Sequence, residues 1–329
     1  MKETTRRRGF LKAAGLIASG VALAEALASR EAKATGGHGN DRDDFIRSVK
    51  RARIFDLSHV WDENSPIAGV NPPYAMELAA THANTLGTFG DGGKLSFTSE
   101  IQQWSGQHGA PSIDAIGHIG RNGKLFGGVD AVKATSDPRG LGRSGVGAHL
   151  DIAHYPKEML VNRAVLLDVA RFINRSREPL PAGFDINADM LHDTARDQGV
   201  KIERGDTVLI RTGWGKYFST NPDLYKGDAA AGVGVSGARF LVRSRARVVG
   251  NDTLTFEVRP PIAGTPGGPD FEVFPVHMLL IPDNGINIIE NYFLEEIAAA
   301  RQHEFILVVP PIKIRGGTGS ALRSFALVP

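Results

Sequence analysis

Short apolar runs separated by polar turns recur along most of the chain and predict buried strands. The clearest cover residues 163–169 ("RAVLLDV"), 207–211 and 305–309, and each is shorter than an ordinary helix. Residues 53–58 indicate a first strand, and a weaker alternation over residues 95–101 indicates another.

Helical spacing appears between these strands. Over residues 187–198 the apolar positions recur at helical intervals, Asn187 offers an N-cap, and Gly199 offers a C-terminal stop. Residues 236–245 predict a second helix that leads into a short strand at 247–249. Because strands and helices intermingle, the sequence predicts a single α/β domain over residues 45–329.

Two glycine- and proline-rich segments predict irregular loops. Residues 127–147 contain many glycines and are expected to form a long surface loop. Residues 259–270, "RPPIAGTPGGPD", contain four prolines and three glycines. That composition excludes a long regular element, so we expect a lid or a pocket wall.

The first 34 residues have the order of an export signal. Three arginines (6–8) precede Phe10 and Leu11, an apolar run covers 13–23, and the small-residue site "AKA" follows at 32–34. The arginines resemble those of twin-arginine signals, which implies a periplasmic protein. An amphipathic N-terminal helix is the alternative. Residues 35–44 are predicted to form a flexible leader.

Composition and charge narrow the function. The chain has 329 residues and no cysteine, which excludes disulfides, thiolate catalysis and cysteine zinc sites. The net charge is +2, but the first 34 residues carry +4, which leaves −2 for the remainder. No basic stripe with interleaved aromatics follows residue 34, so nucleic acid is not the expected partner.

The strongest candidate chemistry lies in the segment "HGAPSIDAIGH" at residues 108–118. In an extended backbone its even-numbered polar side chains, His108, Ser112, Asp114 and His118, would share one face. Pro111 argues against a central strand, so a loop with extended ends is the alternative. Imidazole nitrogens and carboxylate oxygens suit Zn²⁺ or Mn²⁺. Taken alone, a short polar loop with two histidines is more often only solvated.

This segment resembles the H-x-G-T-H-x-D-x-P-x-H signature of the cyclase-like metal-dependent hydrolases, the family of kynurenine formamidase and isatin hydrolase. A later block, from "VHMLL" at 276–280 to "GINIIEN" at 285–291, is similar to the family's H-x-x-L-L…G-I-x-I-I-E-N pattern. "DLSH" at 56–59 resembles its opening block. The likeness keeps the same order over roughly residues 53–327.

The resemblance implies a set of site residues. His108 and Asp114 match the first and third metal ligands, and His277 and Glu290 match a later pair that helps to hold a second ion in dinuclear members. His118 matches the acid–base histidine, and Glu290 would bind metal or orient the nucleophile. The family also implies a mixed α/β sheet with a swivelling β/β/α fold, a divalent metal (zinc or manganese), and homo-oligomers whose interfaces approach the active sites.

One departure from the signature affects the chemistry. The family's middle histidine is Ser112 here, and a serine hydroxyl is a poorer zinc ligand than imidazole. The site could hold one ion, a histidine from elsewhere could substitute, or catalysis could be lost while a pocket is kept. The segment His149-Leu150-Asp151…His154 is one source of a replacement, although a surface turn is the stronger interpretation.

Four other residues allow two interpretations each. Arg211 and Trp214 could line the pocket or belong to a buried strand and turn. Trp104 could contact an aromatic substrate or only pack in the core, and Asn291 could position Glu290 or cap a turn.

The leading hypothesis is a metal-dependent hydrolase of a small amide, formamide or lactone, with His118 as acid and base. The sequence contains no G-x-S-x-G nucleophile elbow, the motif that would indicate a serine hydrolase. The alternatives are an exported protein that binds a small molecule without turnover, and a cyclase or lyase.

Overall fold

A nine-stranded mixed sheet organises the fold. The computed structural model describes residues 42–329, and residues 53–328 form one packed unit. The predicted signal at 1–34 and most of the predicted leader lie outside the described residues. Residues 42–51 form a helix, α1, that begins inside the segment predicted as leader.

The centre of the sheet is parallel and its two sides are antiparallel. Neighbouring strands follow the order β1-β17-β15-β7-β9-β11-β14-β4-β16. Their bounds are β1 Arg53–Asp56, β4 Ser112–Asp114, β7 Val161–Leu167, β9 Thr207–Ile210, β11 Val248–Asn251, β14 Asn287–Glu290, β15 Glu304–Val308, β16 Gly319–Ala321 and β17 Phe325–Val328. The pairs β7–β9, β9–β11 and β11–β14 are parallel. Strands β9, β11 and β14 are buried throughout, as a parallel sheet covered on both faces requires.

The remaining elements are short. Eight strands form two-stranded sheets: β2 Ala75–Ala80, β3 Ser99–Gln103, β5 Lys124–Leu125, β6 Val129–Asp130, β8 Asp185–Ile186, β10 Gly232–Val233, β12 Ile262–Ala263 and β13 Glu272–Val273. The helices that follow α1 are α2 His82–Thr85, α3 Ala131–Ala134, α4 Val169–Asn174, α5 Ala188–Gln198, α6 Tyr217–Thr220, α7 Pro222–Lys226, α8 Val235–Arg243, α9 Pro275–Leu280 and α10 Glu295–Ala299. Short 3₁₀ turns connect several of them. No helix within residues 42–329 combines the length and apolar character needed to cross a bilayer.

The strongest helix prediction is confirmed together with its caps. Helix α5 begins after Asn187, whose side chain accepts the Met190 N–H, and ends at Gly199 in the left-handed region with φ 68°. Its apolar face packs in a core cluster with α8 and the central strands, through residues such as Leu191 and Leu241. A mixed α/β domain is therefore confirmed.

The strand prediction for residues 95–101 is wrong over its first half. The structure begins β3 at Ser99, because side chains take the earlier backbone groups. The Asp91 carboxylate accepts the Leu95 N–H at 2.6 Å, and the Thr85 hydroxyl accepts the Phe97 N–H at 2.8 Å. Such local bonds compete with a strand ladder.

The predicted loop over residues 127–147 also contains regular structure. Strand β6 and helix α3 lie within it, and Asp130 caps the helix by accepting the Lys133 N–H. Ala134 and Leu141 are buried, so part of this segment belongs to a small core of its own. The proline-rich segment 259–270 is irregular except for the two residues of β12.

Arg211 and Trp214 have structural positions. The fully buried Arg211 guanidinium pairs with Asp168 and Glu295, each at 2.8 Å. The Trp214 indole N–H donates to the Leu180 carbonyl. Both side chains therefore hold strand ends and turns together instead of lining the candidate site described below.

The β2–β3 hairpin leaves apolar side chains in solvent. Every residue of β3 and all but one of β2 are exposed. Met76, Leu78 and Ile101 each expose more than half of their surface, and Phe89 in the connecting loop exposes 67%. A two-stranded hairpin is marginally stable by itself in water.

Candidate metal centre

Strand pairing brings the distant acidic residues of the candidate site together. Strand β4 pairs antiparallel with β14, with Glu290 opposite Ser112. Asp114 lies two residues beyond Ser112 on the same strand, so these three side chains share one face of the sheet. Helix α9 contributes His277 to that face.

Three side chains form a tight buried group. His277 Nε2 lies 3.2 Å from Glu290 Oε1 and 3.8 Å from Asp114 Oδ2. Each residue offers one ligand atom, and these atoms lie within 4.8 Å of one another. All three side chains are about 1% exposed.

His108 and His118 flank this group. His108 Nδ1 lies 2.6 Å from Glu290 Oε2, and His118 Nε2 lies 3.9 Å from Asp114 Oδ1. Of the extended backbone considered for 108–118, the structure has only the three residues of β4, and the rest is loop and turn. His108 is left-handed with φ 55°, and a turn closed by the His118 N–H to the Ala115 carbonyl delivers the second histidine.

The donor set of the group fits a divalent cation. Both Asp114 carboxylate oxygens are buried without a hydrogen-bond partner among residues 42–329. Asp114 Oδ2 lies 3.8 Å from His277 Nε2, beyond hydrogen-bond distance, and an Asp114 oxygen lies within 4.8 Å of a Glu290 oxygen, so two buried carboxylates converge. Buried carboxylates without partners cost several kcal/mol or more, and a bound cation removes that cost. Carboxylate oxygen and imidazole nitrogen are ligands that Zn²⁺ and Mn²⁺ accept.

In the protein without a cation, protonated histidines offset the negative charge of the buried carboxylates. Burial lowers the pKa of His277, but Glu257 and Glu290 outweigh it and raise the pKa well above its ordinary value. Burial also lowers the pKa of His108, and its pairing with Glu290 outweighs this and raises the pKa to about 9. Burial raises the pKa of Glu290, but the two histidines lower it to about 2. Burial raises the pKa of Asp114, and there the histidines compensate only in part.

Comparison with known proteins identifies the family. Residues 55–258, more than half of the chain, match the family described as "Putative cyclase". The chain belongs to this cyclase family. A curated relative, isatin hydrolase of Roseibium aggregatum, is 27% identical over 197 residues, which cover 56% of this chain and 71% of the relative.

Solved structures confirm the cyclase-like fold. A structure titled as a novel cyclase superposes with a TM-score of 0.71 at 24% identity, covering 86% of this chain and 91% of the other. Isatin hydrolase A from Labrenzia aggregata, bound to benzyl benzoate, superposes with a TM-score of 0.63 at 19% identity, covering 88% and 99%. At these identities the likeness concerns the fold alone.

Ser112 leaves its position in the cyclase signature without an imidazole. Its hydroxyl is buried and has no hydrogen-bond partner in the described part of the chain. The group of possible ligands found within residues 42–329 contains a single histidine, His277. The segment at 149–154 supplies no substitute there, because His154 instead pairs with Asp151 at 2.6 Å, and both line a separate cleft.

Sequence reasoning missed one buried residue that touches the group. Glu257 accepts a hydrogen bond from His277 Nδ1 at 2.5 Å and is 1% exposed. The available signal was an acidic residue inside the largely apolar segment "TLTFEV" at 253–258. That pattern does not name a partner, because the contact forms only when α9 packs against the segment.

Asn291 ties the ends of the site together. Its side-chain N–H donates to the Ala110 carbonyl at 3.0 Å, and its oxygen accepts the Tyr225 hydroxyl at 2.8 Å. The residue is left-handed, with φ 62°. It therefore fixes the backbone beside Glu290 against the loop that carries His108.

Trp104 belongs to a small cavity near the histidine loop. Trp61, Tyr74 and Gly109 line the same cavity, and the rings of Trp61 and Tyr74 meet edge to face at 5.7 Å. Aromatic side chains thus lie next to the residue that follows His108.

Asp114→Asn is expected to raise the unfolding temperature of the metal-free protein at pH 7. The raised pKa means that the ionised carboxylate costs folding free energy at neutral pH, and an amide removes this cost. The cost vanishes once the pH falls below the ordinary carboxyl value of 3.8, so the advantage of the variant should shrink toward that pH. Calorimetry in a chelating buffer across this range measures it.

Asp168→Asn is the matched control for that experiment, because this buried carboxylate is paired with Arg211. We expect the control to lower the unfolding temperature. A lower unfolding temperature for Asp114→Asn at pH 7 would contradict the account of Asp114 as an uncompensated charge.

Proposed function

We propose that this cyclase-family protein is a metal-dependent hydrolase of a small amide, formamide or lactone. Zinc or manganese would be held by Asp114, His277 and Glu290, with His108 beside them. The observation that carries the proposal is the convergence of three buried side chains of ligand type around Asp114, whose two carboxylate oxygens have no hydrogen-bond donor among residues 42–329. The relative named isatin hydrolase supports the hydrolytic class.

A divalent ion at this group would supply Lewis acidity toward a carbonyl oxygen and toward water. The residues of the chain supply the proton handling. Burial lowers the pKa of His118, so its imidazole is neutral at pH 7 and can accept a proton at Nε2. About a fifth of its side chain (19%) is exposed, which gives a substrate access to it. Asp114, 3.9 Å away, stabilises the imidazolium that results.

His108 has a supporting position in this arrangement. Its Nδ1 donates to Glu290 Oε2 and leaves Oε1 toward His277. A carboxylate held at one oxygen presents the other in a fixed direction, as metal sites require. We therefore propose that His108 acts on the ion mainly through Glu290, while the resemblance implies direct ligation.

The aromatic side chains of Trp61, Tyr74 and Trp104 cluster beside Gly109, the residue after His108, and their flat surfaces favour a small planar acyl compound at the metal group. The cavity among these side chains, about 10 Å³, is too small to hold the substrate itself. Ser112 favours a second candidate, a member that binds such a compound without turning it over, because the family's middle histidine is absent. A cyclase or lyase remains a third outcome of the assay.

His118→Gln is expected to reduce hydrolysis by about 10²–10⁴-fold and to leave the metal content unchanged. Protein loaded with zinc or manganese is assayed on cyclic amides, formanilides and lactones, with metal measured by mass spectrometry. His154→Gln is the control, since this histidine also pairs with a carboxylate but outside the group. Metal-free, inactive wild-type protein would favour the binding function, and a product that has not gained water would indicate the cyclase or lyase.

Ser112→His is expected to raise the number of divalent ions per chain or their affinity. The new imidazole would point to the same face as Asp114 and Glu290, because residue 112 lies opposite Glu290 on β4. Equilibrium dialysis with Zn²⁺ and Mn²⁺ measures both quantities, and Ser320→His on the neighbouring strand β16 serves as control. Unchanged binding in Ser112→His would show that the serine does not limit the site.

We also propose that the protein is a homo-oligomer built through the β2–β3 hairpin. Met76 and Leu78 expose apolar surface on one face of the hairpin, and Ile101, which pairs with Glu77, exposes it on the other. Only four charged residues lie between positions 70 and 105: Glu77, Asp91, Lys94 and Glu100. Low charge around exposed apolar residues is typical of an interface core.

Replacing Met76, Leu78 and Ile101 together by glutamate is expected to convert the oligomer to monomer. Light scattering coupled to size exclusion measures the mass. Val132→Glu, at a residue 75% exposed outside the hairpin, is the control and should keep the wild-type mass. A monomeric wild type would refute the oligomer, and an unchanged mass of the triple variant would refute the role of the hairpin.

A further inference from the structure

One buried carboxylate holds both the ring and the backbone of His277. Glu257 Oε1 accepts the ring Nδ1 at 2.5 Å and the His277 backbone N–H at 3.1 Å. Its Oε2 accepts the Val276 backbone N–H at 3.2 Å. These are three separate donors on the first turn of α9, so the carboxylate fixes the start of the helix and the rotation of the imidazole together.

The ring contact decides which nitrogen faces the metal group. A carboxylate can only accept a hydrogen bond here, so the proton must lie on Nδ1 of His277. Nε2 is then the nitrogen left to ligate, and it is the atom that lies 3.2 Å from Glu290 and 3.8 Å from Asp114. Rotation of the ring would break the bond to Glu257.

Glu257 is itself held rigidly. Its segment bonds to Val233 on β10, which donates to the Phe256 carbonyl at 3.2 Å and accepts the Val258 N–H at 3.2 Å. The Phe274 ring meets the His277 ring edge to face, with 5.4 Å between the two ring centroids. The carboxylate therefore has a fixed position from which to orient the imidazole.

We infer that Glu257 is a positioning residue that presents His277 Nε2 to the ion and thereby sets the metal affinity of the site. The inference rests on the proposed metal function and adds to it a residue that does not touch the ion. A carboxylate behind a metal-binding histidine fixes its ring and increases its basicity, and its loss typically weakens binding about 10–100-fold.

The test compares zinc affinity in three purified proteins by competition with a chromophoric chelator. Glu257→Gln keeps the shape of the side chain but removes its charge, and we expect zinc to bind about 10–100-fold more weakly. Asp252→Asn is the matched control. Asp252 is another buried carboxylate that accepts backbone N–H groups, from Thr212 and Gly213, at a site outside the metal group. It should keep the wild-type zinc affinity.

A spectroscopic readout separates orientation from simple helix capping. In the zinc-loaded wild type, the proton on His277 Nδ1 should resonate far downfield because it is bonded to a carboxylate. Glu257→Gln should shift that resonance upfield, and Asp252→Asn should leave it in place. If Glu257→Gln does not fold, Glu257→Asp, which keeps the charge but is one methylene shorter, should show the same direction of change in both measurements.

The outcomes separate the two proposals. Wild-type protein that binds neither zinc nor manganese overturns the metal function, and the role of Glu257 with it. Wild-type protein that binds zinc, with the same affinity and the same Nδ1 resonance in Glu257→Gln, overturns the role of Glu257 alone. Equal weakening in Glu257→Gln and Asp252→Asn would assign the effect to general stability and would also overturn the inference.

Discussion

The site depends on the antiparallel pairing of β4 with β14. This pairing sets Glu290 opposite Ser112 and places Asp114 on the same face, so that two buried carboxylates lie beside one imidazole. Placing them there is unfavourable in the protein alone, because buried charges of like sign repel and lack water. Strand β14 is held in place on its other side by β11, a fully buried parallel strand that pairs in turn with β9.

The sequence indicated which residues meet at the centre better than it indicated the backbone that brings them together. Asp114, His277 and Glu290 were identifiable because their residue types and order match a known signature, and they converge in the structure. The extended backbone considered for 108–118 forms only over β4, and the left-handed conformation of His108 is one that the hydrophobic pattern does not reveal. Glu257 was not predictable, since its contact with His277 joins segments that meet only in the folded chain.

The same distinction holds for the fold. Apolar runs located the central strands, and capping residues located α5, because both signals are local. The strand expected at 95–101 does not form over its first half, because the side chains of Asp91 and Thr85 accept its backbone N–H groups. Arg211 could not be assigned from the sequence, since a buried guanidinium between Asp168 and Glu295 and an arginine in a substrate pocket leave the same local pattern.

The group formed by Asp114, His277 and Glu290 affects the stability of one edge of the sheet. Strand β4 is only three residues long and is followed in the sheet only by β16, so few main-chain bonds fasten this margin. A cation bound by Asp114, His277 and Glu290 would cross-link this edge to α9 and to β14. A cation concentration a hundred times the dissociation constant would add about 2.7 kcal/mol to the free energy of unfolding. Removal of the cation by a chelator would then loosen this edge of the sheet.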